Sequence, residues 1–487
     1  MATSVSGVGR ISSAGLGSGL DVNSIVTQLM QIERAPLNGL QTQASAFNSR
    51  LSTLGRLQSN YAALRDKANA LLSPNLWNGT TASATDATAL RVATSSTAVA
   101  GSYAIAVSKL AVGQTITGPP LANANARVGT GTVTIELGSY GSGDPAADFT
   151  AKDGSLPLTL SVGETDATLA GLRDKINNSN TGVVASIVTD ASGARLSLRS
   201  RSTGAENAFR ISTAETTDDG DAATGLSSLG FDATHAGSPM LRTASAGNAE
   251  LTINGIAITS ASNTLNDVVD GLTMTLQKTT TDPVDVAVKS DTAAVKTAVT
   301  DFVSAFNTLA GYIHTQTAYN ADNRTAGALQ GDQGALGMQS QLRSLLNEGS
   351  SASSIWGRLS DIGIALKSDG TLETTTTKLD NALENLGELR KLLSTDGSTD
   401  ADSGFVRRFK RLADGTLGAN GALDTRTSGL RNSVSRNAKS QETAQKRLDQ
   451  TEARLRAQYT ALDATMARLT ATSTYVRQQF GTTSNRT

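Results

Sequence analysis

Apolar residues recur every seven positions near the C-terminus, at Leu448, Leu455, Leu462, Leu469 and Val476. A second row, Tyr459, Met466 and Phe480, interleaves with them, and Glu452 and Ser473 are its polar members. Spacing that alternates three and four keeps one narrow stripe toward a partner helix. Over residues 437–480 the pattern predicts a helix about 65 Å long at ~1.5 Å per residue, and such a helix cannot cover its stripe alone.

The N-terminal side is also helical. Asp21 is placed to N-cap a helix in which Ile25, Leu29 and Ile32 fall four and three apart. Pro36 breaks or kinks that helix and suits the first turn of the next. The second helix carries Phe47, Leu51, Leu54, Leu57, Tyr61, Leu64, Ala68 and Leu71, with heptad spacing from Leu54 onward, and Pro74 ends it. Residues 1–20 are Ser/Gly-rich and are expected to lack structure of their own.

From about 78 the pattern turns to alternation, as in 103–108, 133–137 and 156–162, with Gly, Asn, Asp and Ser between the runs. Asn254-Gly255 predicts a type I′ hairpin with Ile253 opposite Ile256 and Leu251 opposite Ile258. Thr168, Leu169, Leu172, Asp174 and Ile176 match Thr264, Leu265, Val268, Asp270 and Leu272 at a constant offset. This predicts two related β-β-α units, each with a Thr capping a short helix. Helix returns with Val295, Val299, Phe302, Phe306, Leu309 and Ile313, followed by shorter helices near 334–347 and 376–393, a polar loop at 394–404 and the long C-terminal helix.

The order helix, β, helix predicts a multidomain α+β chain: a helical coiled-coil stalk from both chain ends, with β-rich head domains inserted. The expected divisions are a flexible N-terminal leg (1–40), the first half of the stalk (41–77) and a first β domain in two parts (78–118 and 240–288). A second β domain is inserted at 119–239, and the stalk's second half (289–436) precedes a C-terminal coiled-coil leg (437–487). Phe47, Leu51, Leu54, Tyr61 and Leu64 are expected to pack within the chain on Val299, Phe302, Phe306, Leu309 and Ile313. The outer stripes, Ile25, Leu29 and Ile32 with Leu448, Leu455, Tyr459, Leu462, Met466, Leu469, Val476 and Phe480, are expected to meet other chains. A buried Leu contributes about 1.5–3 kcal/mol, so five exposed heptad residues leave on the order of 10 kcal/mol of burial unused in a monomer.

Charge is balanced, 42 Lys+Arg against 43 Asp+Glu, which leaves no basic footprint for nucleic acid. There is no cysteine, which removes disulfides and thiolate metal sites. No stretch reaches eighteen apolar residues, so no membrane span is expected, and residues 1–30 lack the pattern of a cleaved signal peptide. The two histidines, His235 and His314, are far apart with no partner at ligand spacing. Gly15-Leu16-Gly17-Ser18-Gly19 has no preceding strand and no following Lys-Ser/Thr, so a flexible leader is preferred over a phosphate loop. The acidic runs at Asp218, Asp219 and Asp221 and at Asp396, Asp400 and Asp402 lack the calcium-loop register and read as solvated loops. No enzyme, cofactor or metal is expected.

These segments resemble, in order, those of the flagellar hook-associated protein 2 family, the filament cap family. Ile11-Ser-Ser-Ala-Gly-Leu-Gly-Ser-Gly-Leu-Asp21 and Leu29-Met-Gln-Ile-Glu-Arg-Ala-Pro-Leu37 carry the N-terminal likeness. Residues 155–212 look like the insertion module of flagellin-related proteins. The segments 262–271 and 301–307 are similar to two further family stretches, with Phe306 where Tyr is more usual. Gly331-Asp332, the segment 369–372 and Tyr475–Phe480 complete the series.

The resemblance implies an extracellular homo-oligomer, usually a pentamer, at the distal flagellum tip, where it retains exported flagellin and promotes its polymerisation for filament elongation and motility. It further implies export by the flagellar type III route without a cleaved signal peptide, and an export chaperone at the C-terminal region. Some members contact host mucin, a form of cell adhesion. On this reading the outer stripes meet neighbours in cap and filament, and the polar members Gln441, Glu452 and Ser473 keep that grip reversible. The competing readings are another axial protein, flagellin-like or hook–filament junction, and a secreted glycan-binding adhesin.

Overall fold

The computed structural model describes residues 21–322 and 324–481, the side chains of Asp267 and Phe480 excepted. The Ser/Gly-rich leader, with its Gly15–Gly19 run, lies outside the described residues. Helix α1 (Val22–Glu33) starts where the Asp21 carboxylate accepts the Ser24 N–H at 3.0 Å. It stops at Arg34, and α2 (Ala35–Leu72) begins at once with Pro36 in its first turn, where a missing N–H costs nothing. Pro74 then opens the single turn α3 (Pro74–Trp77).

The described chain forms two compact units: Pro74–Asp291, and the helices on either side of it. The first of these is β-rich. One antiparallel sheet orders its strands Thr80–Ala84, Val284–Ser290, Gly101–Lys109, Ala249–Ile253 and Ile256–Ser260. With a second sheet of Thr264–Val269, Leu272–Leu276 and Leu90–Thr94 it encloses a core that includes Leu90, Ile105, Val107, Leu251, Met274 and Val286. The hairpin turn is as the sequence predicts: Ile253 pairs Ile256, Leu251 pairs Ile258, and Asn254 (φ 51°) and Gly255 (φ 83°) take the left-handed conformation. The Asn254 side chain also accepts the Ala104 N–H at 2.9 Å, which pins the turn to the neighbouring strand.

A separate core, drawn from Ile116 to Met240, lies between two four-stranded sheets and α4 (Leu169–Asn178). Thr168 caps α4 as predicted, its hydroxyl accepting the Gly171 N–H at 3.1 Å. The second expected β-β-α copy is corrected by the structure. Thr264–Val269 is a strand, and Leu265 faces Met274 across an antiparallel pair. The physical reason is residue by residue. Where α4 has Leu172, Arg173 and Lys175, this segment has Val268, Val269 and Gly271. The β-branched pair favours a strand, and Gly271 (φ 72°) turns the chain back into Leu272.

The helical unit resumes with α5 (Thr292–Thr317), α6 (Gln333–Asn347), α7 (Thr376–Leu383) and α8 (Leu386–Ser394). Two features depart from the sequence reading. A helix absent from that reading, α9 (Phe405–Leu417), precedes the long one, and α10 spans Ala422–Gly481, 60 residues, beginning well before 437. The seam of α10 continues below Leu448 through Gln441, Asn437 and Thr427 to Leu423. Polar residues at those positions hid the repeat. Among the described residues no helix is long and apolar enough to cross a membrane.

Candidate interaction site on the terminal helices

The stalk is a packed core. Leu54, Leu57, Tyr61, Leu64, Ala68 and Leu71 are buried along α2, which packs beside α5, α9 and α10. Val299, Phe302, Phe306, Leu309 and Ile313 are buried along α5. Phe47 and Leu51, nearer the start of α2, are only half-buried. The α9 ring of Phe409 stands edge-on to Phe302 and Phe306, each at 5.6 Å between centroids. Burial pushes the Tyr61 phenol well above its ordinary pKa, because an ionised ring has no water to solvate it there.

Arg408 is the unexpected buried residue of α9, since arginine seldom lies inside without a carboxylate. It is 2% exposed. Its Nε donates to the Ser403 carbonyl at 3.1 Å and its Nη2 to the Gly349 carbonyl at 2.9 Å, while its guanidinium lies over the Phe405 ring at 4.9 Å. It thus ties the 349–351 loop and the polar 394–404 loop to α9. Nothing in its local sequence separates it from the exposed-looking run Arg407, Lys410 and Arg411.

The terminal helices run antiparallel. Asn23 meets Arg456 (Nη1 to Oδ1, 3.1 Å), and Gln43 accepts from Asn437 at 3.0 Å. Gln441 bonds Asn437 Oδ1 at 2.6 Å, so three amides form a polar layer in the seam between α2 and α10. Such a layer fixes register, because any slip leaves amides unpaired. Beyond it a small apolar core gathers Val22, Val26 and Met30 of α1 with Leu37 and Leu448.

The α1 face used here is Val22, Val26 and Met30. Ile25 and Leu29 are half-buried and Ile32 is 74% exposed. Leu448 is buried, and Leu455 and Tyr459 half-buried, against α1 of the same chain. The apolar stripe left open on α10 therefore begins past Tyr459. Leu462, Met466, Leu469 and Val476 are all exposed, and the Phe480 side chain lies outside the described residues. Beside the α1–α2 elbow, a groove of about 520 Å³ has a mixed lining, with Pro36, Leu40 and Ala444 beside the charged Glu33, Lys439 and Arg447.

The chemical candidates are ordinary surface groups. His235 is exposed beside the Thr234 hydroxyl, and His314 is exposed in the last turn of α5. Glu215, Asp218 and Asp219 cluster, but their oxygens accept loop donors: Ser227 N–H, Gly220 N–H and the Thr224 hydroxyl. The Thr399 hydroxyl and N–H hold the Asp402 carboxyl well below its usual range, shaping the loop that Arg408 anchors.

Known proteins place these features. Three family descriptions match in order: flagellar hook-associated protein 2 N-terminus over 18–114, flagellin hook IN motif over 148–202, and flagellar hook-associated protein 2 C-terminus over 246–471. The flagellar hook-associated protein 2 of Escherichia coli K12 is 33% identical over 98% of this chain and 99% of its own. The B-type flagellar hook-associated protein 2 of Pseudomonas aeruginosa is 32% identical over 94% of this chain and 95% of its own. The crystal structure of the Escherichia coli flagellar cap protein FliD, domains D1–D2–D3, is similar with a TM-score of 0.58 at 30% identity, covering 78% of this chain and 99% of that one. The chain belongs to the flagellar hook-associated protein 2 family.

Proposed function

We propose that this chain is a flagellar filament cap: a ring of copies at the distal tip that retains exported flagellin and promotes its insertion beneath the ring. The observation that carries this reading is likeness to flagellar hook-associated protein 2 along 98% of the chain, legs included. The ring holds five copies. The chain leaves the cell through the flagellar type III channel without a cleaved signal peptide, met beforehand by an export chaperone on its C-terminal region. The legs comprise residues 1–40 and 437–487. The stripes at Ile25, Leu29 and Ile32 and at Leu462–Val476 serve neighbours in cap and filament, and the amide layer keeps their helices in register without gluing them.

The test is complementation of a non-motile strain lacking its cap gene. The full chain restores filaments, and electron microscopy of labelled protein finds it at their tips with five-fold symmetry. A chain without residues 1–40 and 440–487 folds but restores none. Filaments of normal length with that truncation would refute the role given to the legs, and label along the shaft would refute the cap.

A further inference from the structure

We infer that Asn78 is a site of covalent self-modification: the Gly79 backbone nitrogen attacks its side-chain amide, and aspartate or isoaspartate is left where the β-rich unit begins. The inference stands apart from the cap reading and needs only this chain and water.

The step runs through a five-membered ring. The glycine nitrogen gives up its proton to water and bonds to the Asn Cγ, while the side-chain nitrogen takes up a proton and leaves as ammonia. Water then opens the cyclic imide at either carbonyl, giving aspartate or isoaspartate, so the net change is water in and ammonia out. Glycine in the next position favours the attack, because no Cβ shields its nitrogen. Ring closure also turns the Asn-Gly peptide out of the helical and left-handed wells. A peptide held in either well reacts only after local opening.

The chain has four Asn-Gly pairs, at Asn38, Asn78, Asn254 and Asn420, and the fold holds three of them. Asn38 lies within α2, where its N–H donates to the Arg34 carbonyl and its carbonyl accepts the Thr42 hydroxyl, both at 3.0 Å. Asn254 (φ 51°) grips the Ala104 backbone twice: its N–H donates to the Ala104 carbonyl and its Oδ1 accepts the Ala104 N–H, each at 2.9 Å. Asn420 has φ 62°, and the Gly421 N–H is committed to the Gly418 carbonyl at 2.8 Å. Asn78 differs. It is exposed just past α3, with its own N–H on the Pro74 carbonyl at 3.0 Å. Among the described residues its carbonyl, its side-chain amide and the Gly79 N–H have no hydrogen-bond partner, so this peptide can turn without breaking a bond.

The position gives the change a structural effect. Isoaspartate adds a backbone carbon between the buried Trp77 and the Gly79 carbonyl, which accepts the Asp291 N–H at 2.9 Å beside the Thr80–Ser290 pair. Modification therefore loosens the start of that sheet.

The test ages the full-length protein in mildly alkaline buffer, native and in urea, and follows amide loss at each pair by peptide mass spectrometry. In urea all four react at similar rates, because each is followed by glycine. In the native protein Asn78 keeps its rate, while Asn38, Asn254 and Asn420 react at least about tenfold more slowly. Any of those three reacting as fast as Asn78, or native Asn78 slowed as much as they are, would overturn the inference. Gly79→Ala checks the route: the methyl slows amide loss at Asn78 and leaves the other three pairs unchanged. Its Cβ meets the Asn75 and Leu76 carbonyls at 3.3 Å, so the variant is also compared with the parent chain in urea, where folding plays no part. Unchanged amide loss at Asn78 in that comparison refutes attack by the Gly79 nitrogen.

Discussion

Met30→Ala should release α1 from α10 while leaving the stalk folded. Met30 is 3% exposed in a core of only five buried residues, Val22, Val26, Met30, Leu37 and Leu448. Truncating a buried Met to Ala costs about 2–5 kcal/mol. Helix α1 has 12 residues, a length at which an isolated helix is marginal in water, so its order depends on this packing. At about 1.4 kcal/mol per factor of ten, even the low end of that cost raises the opening equilibrium of α1 roughly 30-fold. Hydrogen–deuterium exchange reads the effect by segment. Amides of residues 22–33 exchange at least about 30-fold faster, while those of α5, in a different core, keep their rates. Ile32→Ala is the control: its side chain is 74% exposed, and its removal changes stability by less than about 0.5 kcal/mol. Unchanged exchange in α1, or equal acceleration in α1 and α5, would refute the separation of the two cores.

Phe409→Ala removes the ring that touches both Phe302 and Phe306. It is expected to destabilise the helical unit by about 3–5 kcal/mol in urea unfolding. Gly271→Ala presses a Cβ into the Ala98 backbone at a residue with φ 72° and should lower the thermal midpoint of the β-rich unit, whereas Gly220→Ala, with open space around it, costs only the strain of its own φ. The Lys391 ammonium, with the Ser353 hydroxyl and the Ser354 N–H, holds Glu388 at about 2 against an ordinary 4.5. On acidification the unfolded chain takes up this proton first. The stabilisation is therefore whole above about 4.5 and is lost as pH falls through about 2. Glu388→Gln should flatten the stability profile across that window, and an unchanged acid slope would refute the assignment.

Local chemistry was legible wherever one or two residues decide an outcome. Asp21 and Thr168 supply an acceptor to an N–H three residues on, Pro36 and Pro74 cannot continue a helix, and Asn254-Gly255 admits the left-handed turn. The second β-β-α copy misled because its apolar positions match those of α4, while the residues between them, Val269 and Gly271, disfavour a helix. Helix α9 was hidden by basic residues, one of which, Arg408, is buried by bonds to the nearby Ser403 carbonyl and to the Gly349 carbonyl on a loop far off in sequence.

The sequence by itself determined the coarse order helix, β, helix, the heptad stripes and the family, because periodicity and ordered motifs are properties of one chain read in line. Only the tertiary structure decided which stripe is covered. Val22, Val26 and Met30 and the set Ile25, Leu29 and Ile32 are both apolar rows on one short helix, and either could face inward. The elbow at Arg34 and the amide layer of Gln43, Asn437 and Gln441 set how α1 lies on α10, and so turn the first row to Leu448. A stripe states that a partner is needed; burial is a relation between two surfaces, and packing alone chooses the second.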